Sequence, residues 1–305
     1  MPSEREPREP PAGAQPLVQA VAGELLPGLY IVATPIGRLR DVTLKALDVL
    51  AAADAVLAED TRRTRRLCDA FGIPAKIERY DDHTGAAARP GVIARLKDGA
   101  ALALVSDAGT PLISDPGYKL VKEAAEAGVA VFAIPGPSAL LAALTVSGLP
   151  TDRFLFAGFL PAKSGARRAA LAELAETRAT LVLFETGPRL AESLADMADV
   201  LGDRTAVVAR ELTKLHEETR RDDLAALARA YALEDPPKGE IVVIVAPPRE
   251  RAAWDDAAVD AALAPRLADT PLKTLAGEVA EASGRSKREI YARALVLKAA
   301  RGEGT

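Results

Sequence analysis

From Gly28 onward the chain alternates short apolar runs with amphipathic stretches, and this alternation limits the fold more than any other feature. Leu29–Ala33, Ala55–Ala58, Lys76–Tyr80, Ala101–Val105 and Val129–Ala133 read as strands. Thr43–Ala52, Thr61–Phe71, Gly85–Lys97 and Gly117–Ala127 read as the helices between them. Such a series describes a parallel sheet covered by helices on both faces. A second set follows near Pro150, with strands at Phe154–Ala157, Thr180–Phe184, Thr205–Ala209 and Glu240–Val245. Helices at Ala166–Glu176, Arg189–Leu201 and Asp222–Tyr231 separate these strands. Pro135-Gly136-Pro137 can neither continue a central strand nor sit deep in a helix, so a turn is expected there, near the junction of the two halves. Ala246-Pro247-Pro248 ends the second set, and the pattern beyond Trp254 is helical. The expected organisation is a disordered tail (1–25), an N-terminal α/β domain (26–140), a second α/β domain (141–249) and a helical segment (250–305).

Composition removes several function classes. Aromatic residues make up 4% of the chain and hydrophobic ones 49%, so the cores must be built from Ala, Val, Leu and Ile, which suits α/β layers. Cys68 is the single cysteine and His83 and His216 are the two histidines. That leaves no intramolecular disulfide, no cysteine metal cluster, and little for a zinc site or a Ser-His-Asp hydrolase. No apolar run approaches the roughly 20 residues of a membrane helix. Met1–Pro16 is rich in Pro, Glu and Arg and lacks the apolar stretch of a signal peptide. A cytoplasmic, metal-free protein is the expectation. The net charge of −4 does not suggest a nucleic-acid partner, but Arg285–Arg301 holds six basic residues against the lone acid Glu289. For the run alone a solvated helix face is the simpler reading, and a phosphate-binding face the alternative.

In α/β sheets ligands bind beyond the carboxyl ends of the strands. Here three strand ends carry Gly/Pro loops with small polar side chains: Thr34-Pro35-Ile36-Gly37, Ser106-Asp107-Ala108-Gly109-Thr110-Pro111 running on to Ser114-Asp115-Pro116-Gly117, and Pro135-Gly136-Pro137-Ser138-Ala139. Each is compatible with an ordinary tight turn; together they point to a small-molecule site, with Ser138 placed to cap the next helix. Neither a phosphate-binding loop of the Gly-Lys-Ser/Thr type nor a Gly-x-Gly-x-x-Gly follows the first strand. Glu59-Asp60-Thr61-Arg62-Arg63-Thr64-Arg65-Arg66 reads either as a capped, solvated helix start or as an acid–arginine pair suited to a phosphate-bearing substrate.

These motifs, in this order and spacing, resemble one family. Thr34-Pro35-Ile36-Gly37 with Leu39 and Asp41, Glu59-Asp60-Thr61-Arg62, Ser106–Pro111 with Asp115-Pro116-Gly117, Gly158-Phe159-Leu160-Pro161, Arg210-Glu211-Leu212-Thr213-Lys214 and Lys238-Gly239-Glu240 are similar to the small-subunit ribosomal RNA methyltransferases that modify a cytidine ribose at its 2′-oxygen, within the tetrapyrrole methylase superfamily. The match covers roughly residues 28–301. The resemblance implies two α/β domains of the tetrapyrrole methylase type, a small helix-turn-helix-like C-terminal segment, and usually a homodimer. It also implies S-adenosyl-L-methionine, held at Pro35, Ser106, Asp107, Ala108, Gly109, Thr110, Ser114, Ser138, Ala139, Phe184 and Glu185, with Gly239 and Glu240 as further candidates. The implied partner is small-subunit (16S) ribosomal RNA or the assembled small subunit. Candidate RNA contacts are Arg62, Arg63, Arg285, Lys287, Arg288 and Arg293. Attack on an activated methyl needs alignment above all, a contribution on the order of 7–11 kcal/mol. The 2′-hydroxyl must also lose its proton, and Asp60, Glu185 and Lys214 are the candidate acceptors. A tetrapyrrole or protein-modifying methyltransferase of the same superfamily, and a non-catalytic ribosome-assembly protein, remain alternatives. The chain departs from the family pattern at Arg38, expected as asparagine, at Asp81, expected as histidine, and at Gly187-Pro188, expected as Pro-His.

Overall fold

The computed structural model describes residues 20–21, 23–115, 117–248 and 254–300, apart from the side chains of 82–84. The chain divides into two compact units, Met1–Pro248 and Arg249–Thr305. Most of the expected tail, together with Pro116, Arg301 and the His83 side chain, lies outside the described residues. Three described residues of that tail, Ala20, Val21 and Leu25, touch the first unit. Ala20 and Leu25 pack on its core, and Val21 N–H donates to Asp48 Oδ1 at 2.7 Å.

The first unit begins with a sheet of β1 (Gly28–Val32), β2 (Ala55–Ala58), β3 (Ile77–Arg79), β4 (Ala101–Val105) and β5 (Val131–Ile134). Their order is β3-β2-β4-β1-β5 and every pairing is parallel, as the alternation predicts. Successive side chains point to opposite faces, and both faces of the central strands β2, β4 and β1 are buried, while the edge strands β3 and β5 are only partly covered. Tyr30, Val32, Val56 and Val105 pack against α1 (Leu44–Ala52) and α2 (Thr61–Ala70). Leu29, Ile31, Leu57, Leu102 and Leu104 pack against α3 (Asp82–Lys97) and α4 (Tyr118–Glu126). The helix starts follow from their caps: Thr43 accepts from Ala46 N–H, and Asp60 from Arg62 N–H.

After α5 (Ala139–Ser147) a second sheet contains β6 (Phe154–Phe159), β7 (Thr180–Thr186), β8 (Thr205–Arg210), β9 (Glu218–Asp223) and β10 (Glu240–Val245). The intervening helices are α6 (Ser164–Leu174), α7 (Gly187–Leu201) and α8 (Leu224–Ala232). Strand order is β6-β7-β10-β8-β9. Only β6 and β7 run parallel; β10 is antiparallel to β7 and β8, and β9 to β8. One face packs on α6, α7 and α8, and the other on Ala143 and Leu144 of α5. Ile36, from the loop after β1, enters this second core, so a strand-end loop of one sheet is built into the other.

β9 is absent from the sequence reading because Glu-Thr-Arg-Arg-Asp-Asp carries no apolar residue. It is an edge strand, held by its ladder to β8 and by Arg220, which pairs with Glu218 and Glu234 and lies over the Tyr231 ring at 4.9 Å.

The C-terminal unit contains α9 (Asp256–Leu263), α10 (Leu272–Ser283) and α11 (Lys287–Ala300) around Val259, Leu263, Leu275, Val279, Ile290 and Ala294. The face of Ile290, Ala294 and Leu297 meets that of Leu272, Leu275 and Val279, as their helical spacing predicts. Ser286 opens α11 with a capping box: Ser286 Oγ accepts from Glu289 N–H, and Glu289 Oε2 accepts from Ser286 N–H.

Candidate active site

The three Gly/Pro loops after β1, β4 and β5 are tied together by hydrogen bonds. Thr34 and Gly109 exchange both backbone bonds, at 2.8 and 2.9 Å. Thr34 Oγ1 donates to Ser106 O, and Thr110 Oγ1 to Pro137 O. Gly109 has φ +78°, a conformation costing a residue with a side chain about 1–2 kcal/mol. The loop after β2 joins them, because Asp60 N–H donates to Asp107 Oδ1 at 3.0 Å.

The second sheet closes the site through the loop after β8. A Cβ on Gly37 would collide with Thr213 Oγ1 and come within 2.7 Å of Lys214 Cγ, so glycine lets the two loops touch. Among the described residues, the non-glycine residues with positive φ are Leu112, Ser114, Glu211 and Thr213. All four lie in the loops after β4 and β8, so the uncommon backbone conformations concentrate around the cleft.

Two adjoining cavities result. The first, of about 270 Å³, is lined by Asp107, Ala108, Gly109, Thr110, Ser114, Ser138, Ala139, Phe184, Glu185, Gly239 and Glu240, all named from the sequence. Ile36, Arg63, Ile113, Asp115, Phe159, Thr186, Ile241 and Val242 complete it. Pro35 and Ser106 line the second cavity, of about 420 Å³, with Arg63, Arg66, Lys214 and others. Ile36, Arg63, Asp107, Ala108 and Glu240 belong to both, forming the wall where they meet. Asp60 and Arg62 line neither. Sequence reasoning passed over Asp115 and Phe159 as site residues, although both stand in quoted motifs. Ile113, Ile241 and Val242 carry no polar signal at all.

The first cavity is apolar and acidic. Four carboxylates (Asp107, Asp115, Glu185 and Glu240) face one guanidinium, Arg63, and Phe184 meets Phe159 edge-on with ring centres 5.5 Å apart. Burial pushes the Asp115 carboxyl up; a Ser106 hydrogen bond opposes this and the charge of Asp107 adds to it. The three expected proton acceptors are all engaged elsewhere. Arg62 hydrogen bonds hold Asp60 at a pKa of about 2. Glu185 is buried, with Oε1 accepting from Thr186 N–H and lying 3.3 Å from Arg189 Nε, and Oε2 accepting from Ser193 Oγ. Lys214 Nζ donates to Glu211 Oε1 at 2.8 Å and Glu240 Oε2 at 3.2 Å. Burial pulls its pKa down, but the Glu211 hydrogen bond and the Glu240 charge outweigh that and raise it, so the amine stays protonated.

Two of the six expected RNA contacts are also committed within the C-terminal unit. Arg293 grips Asp260 through two nitrogens at 2.6 and 2.7 Å and reaches Asp256, while Arg285 pairs with Asp256 at 2.5 Å. The basic run is therefore partly neutralised by acids that lie before it in the sequence. Lys287 and Arg288 have no hydrogen-bond or ion-pair partner among the described residues. At the positions that depart from the family pattern, Asp81 is buried and accepts from Arg79 Nε at 2.6 Å, and Gly187 lies tight against the Pro237 main chain.

The sequence profile of the Tetrapyrrole (Corrin/Porphyrin) Methylases matches residues 28–228. The chain belongs to this methylase family. A second profile, the RsmI C-terminal HTH domain, matches residues 253–298 of this methylase, where α10 and α11 are joined by a three-residue turn. The methylase is 52% identical over 284 residues to the "Ribosomal RNA small subunit methyltransferase I" of Mesorhizobium japonicum, covering 93% of this chain and 96% of the relative. Identity to the protein of the same name from Erythrobacter litoralis is 53% over 277 residues, with 91% and 98% covered. The Escherichia coli O157:H7 relative is 46% identical over 272 residues, with 88% and 94% covered. Among solved structures, a cobalt precorrin-4 methyltransferase superposes with a TM-score of 0.54 at 18% identity, over 72% of this chain and 94% of its own. Diphthine synthase does so with 0.54 at 19% identity, over 72% and 89%. At such identities these two share the fold alone.

Proposed function

We propose that this methylase transfers a methyl group from S-adenosyl-L-methionine to the ribose 2′-hydroxyl of a cytidine in small-subunit ribosomal RNA. The observation that carries the reading is the apolar, acidic first cavity, in a chain whose relatives over nearly full length bear the ribosomal RNA methyltransferase name. The residues present fit the cofactor. It carries positive charge on its sulfonium and ammonium groups, and the surplus of carboxylates suits both. The Phe159, Phe184, Ile36 and Val242 surfaces suit its adenine ring. Gly109 leaves the loop backbone open to close approach, and Ser138 caps α5, whose first amides suit the cofactor carboxylate. When bound, the cofactor supplies an electrophilic methyl group on sulfur.

The protein's own contribution is to align the 2′-oxygen and remove its proton. Asp60 lines neither cavity, both oxygens of buried Glu185 accept hydrogen bonds and Lys214 stays protonated, so this reading moves the proton acceptor to Asp107. It stands in the wall shared by the two cavities, held in place by the Asp60 N–H and with Arg63 Nε 3.5 Å away. The reading also includes a homodimer and a cytoplasmic location. The family resemblance supports the dimer, and sedimentation of the purified chain checks it. For the location, no helix among the described residues is long and apolar enough to cross a membrane. Methyl transfer from radiolabelled cofactor to small-subunit RNA and particles tests the function. Label in the 2′-O-methylcytidine of a nuclease digest is the expected result. Label only in protein or in an added tetrapyrrole would overturn it.

A further inference from the structure

The two cavities differ in charge, and that difference assigns their ligands. Of the four carboxylates lining the first, Asp107 faces Arg63, Glu185 lies 3.3 Å from Arg189 and Glu240 is bound by Lys214, so its one lining cation, Arg63, is already paired. In the second, three cations (Arg63, Arg66 and Lys214) face two carboxylates, Asp107 and Glu240. Lys214 is bound to Glu211 and Glu240, and Arg63 stands 3.5 Å from Asp107. Arg66 is the surplus cation, exposed and without a hydrogen-bond or ion-pair partner among the described residues. Arg66 and Arg63 lie on α2, whose start is fixed by the Asp60 cap, so their backbone positions are set before any ligand arrives. Leu39 and Leu67 add apolar surface to the same cavity.

We propose that the second cavity seats the target nucleotide, its phosphate on Arg66 and its base on the Leu39–Leu67 side, so that its ribose meets the wall shared with the first cavity. This inference rests on the methyl-transfer reading and specifies its substrate subsite. A guanidinium without a carboxylate partner binds a phosphate without first breaking an ion pair. The first cavity offers no cation without a carboxylate partner among the described residues, so the phosphate finds its free guanidinium only in the second. The polar second cavity is also the larger, about 420 Å³ against 270 Å³, as a nucleotide swung out of its stack requires.

The probe is cytidine 3′,5′-bisphosphate compared with cytidine, each titrated into the full chain by ligand-observed NMR, with and without S-adenosylhomocysteine. The wild type is expected to bind the bisphosphate about tenfold more tightly than the nucleoside. Arg66→Ala should abolish most of that preference and Arg66→Lys retain part of it, while S-adenosylhomocysteine affinity stays within about twofold in both. Lys122→Ala, on an exposed face of α4 outside both cavities, should change neither affinity. No preference in the wild type, a preference that survives Arg66→Ala, or an equal loss in Lys122→Ala overturns the subsite. If the bisphosphate behaves as expected but small-subunit RNA is not methylated, the subsite stands and the RNA reading falls. If RNA is methylated but the preference is unchanged in Arg66→Ala, the RNA reading stands and the subsite falls.

Discussion

Charged residues at the cleft are read correctly only with their partners in view. Asp60, at a strand end before an arginine run, has the sequence of a reactive acid, yet it is a helix cap held by Arg62. Its low pKa sets a pH window. Free aspartate titrates near about 3.9, so a carboxylate at about 2 is ionised more readily in the folded chain than in the unfolded one. Its stabilising effect is complete above about pH 4 and is lost as pH falls through about 2. The expected result is an Asp60 carboxyl titration midpoint near 2 by NMR, accompanied by loss of the Arg62 amide hydrogen bond; a midpoint near 4 would show that the cap is not made. Asp107 is tested by Asp107→Asn, which keeps an oxygen for the Asp60 N–H. If Asp107 takes the proton, kcat at saturating cofactor should fall by about 10²-fold or more, beyond any change in cofactor affinity. Steady-state methylation with calorimetry decides it, and a kcat within a few-fold of wild type would return the role to solvent or RNA.

At the scale of elements, apolar periodicity was legible and charge was not. The strands of the first sheet sit within two residues of where alternation puts them, because both faces of a parallel sheet must be apolar. β9 has no apolar residue, and its pairing comes from β8. The C-terminal helices show the same division. Their packing face follows from spacing, whereas the availability of their cations depends on Asp256 and Asp260. Lys287→Ala with Arg288→Ala should therefore flatten the salt dependence of RNA binding, by a slope of about 0.7–0.9 for each phosphate no longer neutralised. Arg285→Ala with Arg293→Ala should leave the slope nearly unchanged and lower the melting temperature, since it unties α11 from α9. Filter binding across a salt series and thermal melts separate the two pairs. A larger slope change in the second pair would mean that RNA displaces the aspartates.

For the molecule as a whole, the site exists only where two sheets meet. Ile36 is buried in the second sheet's core, and Gly37 touches the Thr213–Lys214 loop. Gly37→Val should push these loops apart and weaken S-adenosylhomocysteine binding while both sheets keep their far-UV signal. Calorimetry checks this, and wild-type affinity in the variant would mean that the junction does not shape the cavity. A ligand held by loops of both sheets stabilises them together. At a concentration of 100 Kd it should add about 2.7 kcal/mol to the stability of the first unit, with or without a chelator. Loss of that stabilisation on adding EDTA would point to a metal.

The sequence by itself determined the α/β layering, the all-parallel first sheet, the packed face of the last two helices and the loops that line the cleft. Each of these follows from local periodicity or from Gly, Pro and cap residues, whose preferences are set by near neighbours. Only the tertiary structure decided which charged groups are free. Arg293 and Asp260 are 33 residues apart, Arg285 and Asp256 29, and Asp107 and Asp60 47. A charge costs free energy to bury unpaired, but it can be satisfied by any opposite charge or dipole the fold brings near it. Its partner is therefore set by chain path and not by spacing, and so is the division of one cleft into an acidic cavity and a basic one.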